Sequence, residues 1–308
     1  MIKICLISQV SLPYSHIGSW TTLYQNYFDT QSGIHYIICP RSQKEYEGIE
    51  YSFVKETFFD KVQRKFLKKK KLEYLSAIRK IIKKDQKYIF QLVDDYGMVK
   101  PLNDFLVKSG IREKSYIQFF YHGFDPYPQF DSYEKFYSLL DEIVVLTHSS
   151  REAFKNKIAI LPPYFSVLNN GIDTSKFRVV PIEEKVSLKE SLGFGDKTVF
   201  LWCSQDRPKK GLHIILEAWS KMYSSAKNIL LIVIGCEHKE NSEDVRYLGK
   251  IPNNELPKYY QAADCYLFST LCQEGFGLSL IEALHCGCYC IASKLGGVPE
   301  VLQWGKYG

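Results

Sequence analysis

Short runs of β-branched and aromatic residues alternate along this chain with longer stretches whose apolar positions recur at helical spacing. In the first half the short runs predict strands at Lys3–Ser8, His35–Cys39, Tyr88–Val93, Tyr116–Tyr121 and Ile143–Leu146. Helical stretches fall between them, near 19–29, 62–84, 99–109, 133–140 and 149–155. Residues 165–173, FSVLNNGID, read as one more strand and a turn, Asn170-Gly171 being a strong turn dipeptide. A polar, weakly periodic segment follows at 174–197, with a short helix in IEEKVSLKESLG that Gly193 ends. The rhythm then restarts. Strands are expected at Thr198–Cys203, Asn228–Gly235, Asp244–Leu248, Cys265–Phe268 and Tyr289–Ser293, and helices at Gly211–Tyr223, Glu255–Ala262 and Leu278–Cys286. The run NILLIVIG, 228–235, is almost wholly apolar, as a strand covered on both faces must be. Strand–helix alternation of this kind predicts parallel sheets with crossover helices. The expectation is an α/β protein of two Rossmann-like domains, 1–173 and 198–308, joined by a linker at 174–197.

Composition narrows the class. A length of 308 residues suits two domains, and a hydrophobic fraction of 45% is that of an ordinary globular protein. No run reaches the ~18–20 apolar residues a membrane span needs. The opening MIKICLISQV lacks the layout of a secretory signal, so a cytoplasmic protein is expected. Nine cysteines, an odd number without a spacing framework, point to reduced thiols. Cys286, Cys288 and Cys290 invite a metal reading that only the lone His285 supports. Buried core cysteines are expected there instead, and no metal site.

The net charge of +6 is unevenly spread. Residues 61–71 read KVQRKFLKKKK, and Arg79, Lys80, Lys83 and Lys84 continue the trend. Leu72, Leu75, Ile78, Ile81 and Ile82 form a helical stripe within it. Two readings of residues 61–84 stand side by side. One is a basic amphipathic helix drawn to an anionic membrane surface, at roughly 1 kcal/mol per lysine, which would put the protein peripherally on the inner face of a membrane. The other is a solvated face. No aromatic-interleaved basic patch accompanies the charges, so no nucleic-acid partner is expected.

The most informative stretch is Glu274-Gly275-Phe276-Gly277-Leu278-Ser279-Leu280-Ile281-Glu282, which follows a strand and loop and opens a helix. Its glycines let backbone approach a ligand, and a helix N-terminus favours a diphosphate. Glu282 falls one to two turns into the helix, where a carboxylate can accept two hydrogen bonds from a ribose diol. Glu274 precedes the glycines, within reach of sugar hydroxyls. A Gly-rich turn before a helix is a weak signal by itself.

The wider pattern is more specific. EGFGLSLIEALHCG followed by IASKLGGVPE resembles the E-x7-E signature of the family-four retaining glycosyltransferases, which have the GT-B fold. Asn169-Asn170-Gly171-Ile172-Asp173 with Phe177, Lys210-Gly211 with LHIILEAW, Val233-Ile234-Gly235 and Tyr247-Leu248-Gly249 resemble further elements of that family. The likeness is specific from about residue 165 onward and generic before it.

The resemblance implies two Rossmann-like domains facing a cleft, and retaining transfer from a nucleoside-diphosphate sugar to a hydroxyl of a glycan or glycolipid acceptor. It implies no cofactor beyond the donor itself. Glu282 then holds the ribose, Glu274 the donor sugar, and Lys210 with the amides of Gly275, Phe276, Gly277 and Leu278 the diphosphate. Gly249 and Ile251 belong to the wall around the base. The chain has no D-x-D motif, so Lys210, a second cation and a helix N-terminus would offset leaving-group charge without a metal. The family's second cation is an arginine several residues before the lysine. Here the strand ends Trp202-Cys203-Ser204-Gln205, and Arg207 or Lys209 is the substitute, unless these are loop surface charges.

His122, in FFYHGFDP, matches a family histidine that contacts the donor sugar near the reacting carbon; a structural histidine is the competing reading. Asp94, Asp95 and Asp125 are candidates on the acceptor side. Gly18 either lets the first loop approach diphosphate or acceptor, or merely starts a helix. Two other classes compete with the transferase: an epimerase or hydrolase acting on the sugar nucleotide, and a sugar-nucleotide-binding protein with a decayed clamp. A role in bacterial surface glycan synthesis follows only by family analogy. Residues 300–308 resemble the middle of a family segment, so closing C-terminal helices are expected to be missing.

Overall fold

The computed structural model describes residues 2–14, 19–30, 33–55, 71–126, 133–223, 228–237 and 242–308. The chain divides into two compact units, Met1–Asn169 and Asn170–Gly308.

The first unit is built on a seven-stranded sheet in the order β3-β2-β1-β4-β5-β6-β7, every neighbouring pair parallel. The strands are β1 (Ile2–Ile7), β2 (Tyr36–Pro40), β3 (Glu50–Val54), β4 (Lys87–Val93), β5 (Ser115–Tyr121), β6 (Glu142–Val145) and β7 (Tyr164–Val167). The helices are α1 (Ser19–Thr30), α2 (Leu72–Ile81), α3 (Tyr96–Lys108), α4 (Tyr133–Tyr137) and α5 (His148–Lys157). Alternate residues of the strands feed two cores. Phe90, Leu92, Ile117, Phe119 and Val145 pack with Ile78 of α2, Leu102 of α3 and Phe154 of α5. Leu6, Ile37 and Cys39 pack on the other face, against Trp20, Tyr24 and Phe28 of α1. Strand β3 was not expected from the sequence. It is a five-residue edge strand whose buried Ser52 donates to the Ala77 carbonyl at 2.9 Å, so a polar residue interrupts its apolar signal.

Helix α2 carries the described end of the basic stretch. Tyr74, Ala77, Ile78 and Ile81 are its buried positions, a spacing of three or four residues. Leu75 and Ile82 are partly buried against the same core, and Arg79, Lys80, Lys83 and Lys84 are exposed. Residues 61–70 lie outside the described residues.

The second unit has a five-stranded parallel sheet in the order β10-β9-β8-β11-β12. Its strands are β8 (Thr198–Cys203), β9 (Ile229–Ile234), β10 (Val245–Gly249), β11 (Cys265–Phe268) and β12 (Tyr289–Ala292). Its helices are α6 (Ile182–Ser191), α7 (Leu212–Tyr223), α8 (Leu256–Ala262), α9 (Leu278–His285) and α10 (Val298–Val301). Every residue of β9 is buried. Cys286, Cys288 and Cys290 lie in the core, where burial pushes the Cys286 and Cys290 thiols up to about 12. All nine cysteines are free thiols.

Residues 174–197 fall inside this unit rather than standing apart as a linker. Phe177 and Phe194 are buried in its core. No residue of α6 is fully buried, which is why the segment reads as polar. Its anchor is ionic: Lys185 and Lys189 pair with Asp264 at 2.8 and 2.6 Å, and the Asp264 carboxylate also accepts the Val199 amide at 2.8 Å. Burial raises the Asp264 pKa, but the two lysines outweigh it and hold the carboxyl below its usual range. A depressed carboxyl adds stability that is present above its unfolded pKa and lost as pH falls through the folded one. Asp264→Asn is expected to lower unfolding stability by about 2 kcal/mol at pH 7, leaving two lysines without their counterion. Urea unfolding measures it, and the gap from wild type should close in acid, where wild type is itself protonated.

No described helix is long and apolar enough to cross a membrane.

Candidate donor-binding site

In the second sheet the chain leaves β8 toward β9 and β10 on one side, then returns to place β11 and β12 on the other. The C-terminal ends of β8 and β11 therefore form the switch point, where open parallel sheets bind ligands. Two loops leave there, 204–211 and 269–277.

These loops are stitched together. The Leu271 amide donates to the Lys209 carbonyl at 2.8 Å, and Ser269 Oγ donates to the Lys210 carbonyl at 3.0 Å. Trp202 Nε1 donates to Ser269 Oγ at 3.2 Å from the end of β8. Gly211 makes the approach possible: its φ is 72°, and a Cβ there would collide with the Ser269 carbonyl. The stitching presents Lys210 to the β11 loop, where its ammonium pairs with Glu274 Oε1. Thr270, 1% exposed, donates to the same oxygen at 2.9 Å, and Cys272 Sγ lies 3.6 Å from it. Three groups thus fix one carboxylate oxygen. Behind Glu274, the Gly297 amide donates to its carbonyl at 2.8 Å, and Gly296 leaves no room for a side chain.

Gly275 and Phe276 are buried, and Gly277 is the N-cap of α9. The first amides of a helix have no acceptor within it, so the turn at Gly277-Leu278 presents donors at the end of the loop that holds Glu274. Glu282 lies four residues after Leu278, about one turn along, and is half-buried. Burial pushes its carboxyl up to about 7, with the Tyr260 hydroxyl countering in part. Its surroundings are tied to β8, because the Tyr266 hydroxyl donates to the Cys203 carbonyl at 3.1 Å and pairs with Ser279 Oγ at 2.8 Å.

On the other flank, Gly249 ends β10 and its carbonyl accepts the Gly235 amide at 2.7 Å. Ile251 is half-buried against the core that contains Tyr260. Both therefore sit at the same strand ends as the Lys210 loop. Arg207 and Lys209 are exposed. Lys210 is the cation of this loop that pairs with Glu274.

In the first unit, His122 follows β5 and Asp94 follows β4. The His122 amide donates to Asp94 Oδ1 at 2.9 Å, and the buried Nδ1 of His122 lies 3.2 Å from Asp94 Oδ2. Asp95, 3% exposed, turns elsewhere and pairs with Lys71 at 2.9 Å. Burial raises the Asp95 pKa beyond what Lys71 takes back. Asp125 pairs with Lys157 at 2.7 Å, and its carbonyl accepts the Tyr121 hydroxyl at 2.6 Å. Each of these three aspartates thus has a partner within the unit. Gly18 lies outside the described residues. Sequence reading missed Thr270 and Cys272. The signal available for both was their place four and two residues before Glu274.

Residues 184–308 match the family described as Glycosyl transferases group 1. The GPI3 subunit of phosphatidylinositol N-acetylglucosaminyltransferase from Saccharomyces cerevisiae (strain YJM789) is 25% identical over 174 residues, 53% of this chain and 38% of that protein. The GDP-mannose-dependent alpha-(1-6)-phosphatidylinositol monomannoside mannosyltransferase of Mycolicibacterium smegmatis is 27% identical over 157 residues, 45% of this chain and 40% of that one. The matches thus span about two fifths of the length of these relatives. Among solved structures, Anabaena HepE in complex with UDP superposes with a TM-score of 0.71 at 15% identity, covering 97% of this chain and 82% of that one. Sucrose-phosphate synthase from Thermosynechococcus elongatus does so with a TM-score of 0.71 at 15% identity, covering 97% and 84%. At such identities the superpositions speak for the fold alone, two parallel-sheet units of the GT-B kind. Residues 184–308, which hold the Lys210–Glu274 pair and the helix of Glu282, match the glycosyl transferases group 1 family, on a chain with the GT-B fold.

Proposed function

We propose that this protein is a retaining hexosyltransferase that moves a sugar from a nucleoside-diphosphate donor to a hydroxyl of a glycan or glycolipid acceptor. The observation that carries the reading is the Lys210–Glu274 pair at the switch point, one loop ahead of a helix that bears a half-buried Glu282. A cation, a helix N-terminus and two carboxylates at one set of strand ends suit the parts of a sugar nucleotide. Lys210 and the amides of the Gly275–Leu278 turn would take the diphosphate, Glu274 the sugar hydroxyls, and Glu282 the ribose.

The chemistry follows from the leaving group. As the glycosidic bond breaks, charge grows on the diphosphate, and preorganised donors aimed at it lower the barrier. In this reading Lys210 and the helix N-terminus do that work without a metal ion. Retention lets a phosphate oxygen of the departing diphosphate take the acceptor proton. The relatives above are named for transfer to phosphatidylinositol lipids, which favours a glycolipid acceptor and work at a membrane surface. The exposed Arg79, Lys80, Lys83 and Lys84 would add attraction to anionic lipid. A place in surface glycan synthesis belongs to the same reading.

Relatives and fold neighbours are named with both GDP-mannose and UDP, so the base is left to experiment. The test is thermal-shift binding of UDP, GDP, ADP, TDP and CMP without added metal, on wild type and Glu282→Ala. One nucleotide should raise the wild-type melting temperature, by mass action on the folded state, and leave the variant's unmoved. A shift in neither protein, or an equal shift in both, would count against the site.

A further inference from the structure

We propose that Asp94 is the positioning residue of His122: its carboxylate fixes the imidazole as the tautomer protonated on Nδ1 and leaves Nε2 to accept a hydrogen bond from a sugar hydroxyl. The second half of this statement rests on the transferase reading above. The first half rests on local geometry.

Strands β4 and β5 end side by side, Val93 opposite Phe120. The Asp94 amide extends the ladder by one bond, to the Phe120 carbonyl at 3.0 Å. The backbone then turns left-handed at Asp94, with φ of 50°. That region costs a residue with a Cβ roughly 1–2 kcal/mol, though Asp tolerates it better than most. The turn throws the carboxylate across to the end of β5, where both oxygens face His122. Oδ1 accepts its amide at 2.9 Å, and Oδ2 lies 3.2 Å from Nδ1. The adjacent Asp95 is not available for this task, being buried on Lys71.

Glycine would adopt this backbone without strain, so the carboxylate is the part of Asp94 that the turn does not require. Strain kept at a ligand-binding strand end is a recurrent mark of function. Nδ1 is buried and has no well-aligned hydrogen bond, with Oδ2 as its charged neighbour. An ionised carboxylate can only accept, so its nearness favours the proton on Nδ1. Alignments of this kind are often loose until substrate closes them. Nε2 is then unprotonated and can only accept.

Asp94→Asn separates positioning from simple stitching of the loop. Asparagine keeps an oxygen for the His122 amide but presents an NH2 group to Nδ1. That group can only donate, which drives the imidazole proton to Nε2. The fold should survive, and Asp94→Gly serves as a second variant that relieves the backbone and deletes the carboxylate. The measurement is the long-range 1H–15N spectrum of the full chain, with His122 assigned by the loss of its signals in His122→Gln. The expected result is the Nδ1–H tautomer in wild type, the Nε2–H tautomer in Asp94→Asn, and a mixture in Asp94→Gly. Steady-state turnover with UDP-glucose and with GDP-mannose should fall on the order of 10- to 100-fold in kcat for Asp94→Asn, with KM held within about twofold. A wild-type Nε2–H tautomer, or one unchanged in Asp94→Asn, would overturn the assignment. A reversed tautomer with unchanged kcat would overturn its role in the reaction. If wild type turns over neither donor and binds no nucleoside diphosphate, it is the transferase reading that falls, and the spectra still decide what Asp94 does to His122.

Discussion

Replacing Lys210 by alanine is expected to slow sugar transfer by about 30- to 1000-fold, the ~2–4 kcal/mol that one preorganised donor to a developing charge supplies. The loss should fall on kcat, because charge on the leaving diphosphate is larger in the transition state than in the bound donor. Lys210 is held from both ends. Ser269 fixes its carbonyl, Gly211 lets its loop close on β11, and its ammonium rests on Glu274. That ion pair also makes Glu274 a competitor of the diphosphate for the same cation. Glu274→Gln should therefore behave differently from Lys210→Ala. It frees the ammonium, so a nucleoside diphosphate should bind several-fold tighter, while transfer still falls because the sugar loses its carboxylate. Calorimetric titration with UDP or GDP, beside steady-state rates, reads both. A Lys210→Ala variant whose kcat is unchanged and whose KM alone rises would show that the lysine only binds, and the charge-offset mechanism would have to be given up.

The glycines and the two glutamates of this site are legible in the sequence because each answers a local rule. A Gly at a helix start, an acid one turn on and an acid before the turn can be counted off along EGFGLSLIE. The groups that orient them follow no such rule. Thr270 reaches Glu274 only because the β11 loop doubles back on itself, and Lys210 reaches it across 64 residues of chain. The same holds for the anchor of α6, where Lys185 and Lys189 find Asp264 more than seventy residues on. A helix held by ion pairs shows no apolar stripe, and residues 174–197 therefore read as a linker although they belong to the second unit.

The first unit shows the complementary case. Long apolar strands such as β4 and β5 announce themselves by alternation, and only their ends shift by a residue. Strand β3, short and carrying Ser52, does not. Asp94 and Asp95 look equivalent as a pair of adjacent acids. A left-handed backbone at Asp94 sends one to His122 and leaves the other on Lys71, and no sequence rule says which of two adjacent aspartates takes the positive φ.

Nucleotide affinity is expected to depend on pH through Glu282. Burial raises its carboxyl from 4.5 to about 7. A raised carboxyl favours the protonated form in the folded protein. Its contribution to stability is present below the unfolded value near 4.5 and is lost as pH rises through about 7. Free protein should therefore lose stability over that window, by at most ~3 kcal/mol from this group. Binding has the opposite sign. A ribose diol donates two hydrogen bonds, and the ionised carboxylate accepts them better than the acid. Affinity should rise about tenfold per pH unit below the carboxyl's pKa and level off above it, a change on the order of 100-fold between pH 5 and pH 8. The nucleotide's own phosphate titrates near pH 6, so the comparison must be internal. Glu282→Gln keeps the shape of the side chain and removes its charge change. Calorimetric titrations of wild type and this variant across the window should diverge, with the variant keeping only the phosphate's shallower dependence. Parallel curves would mean that Glu282 does not gain its charge at the ribose, and the contact assigned to it would have to move elsewhere on α9.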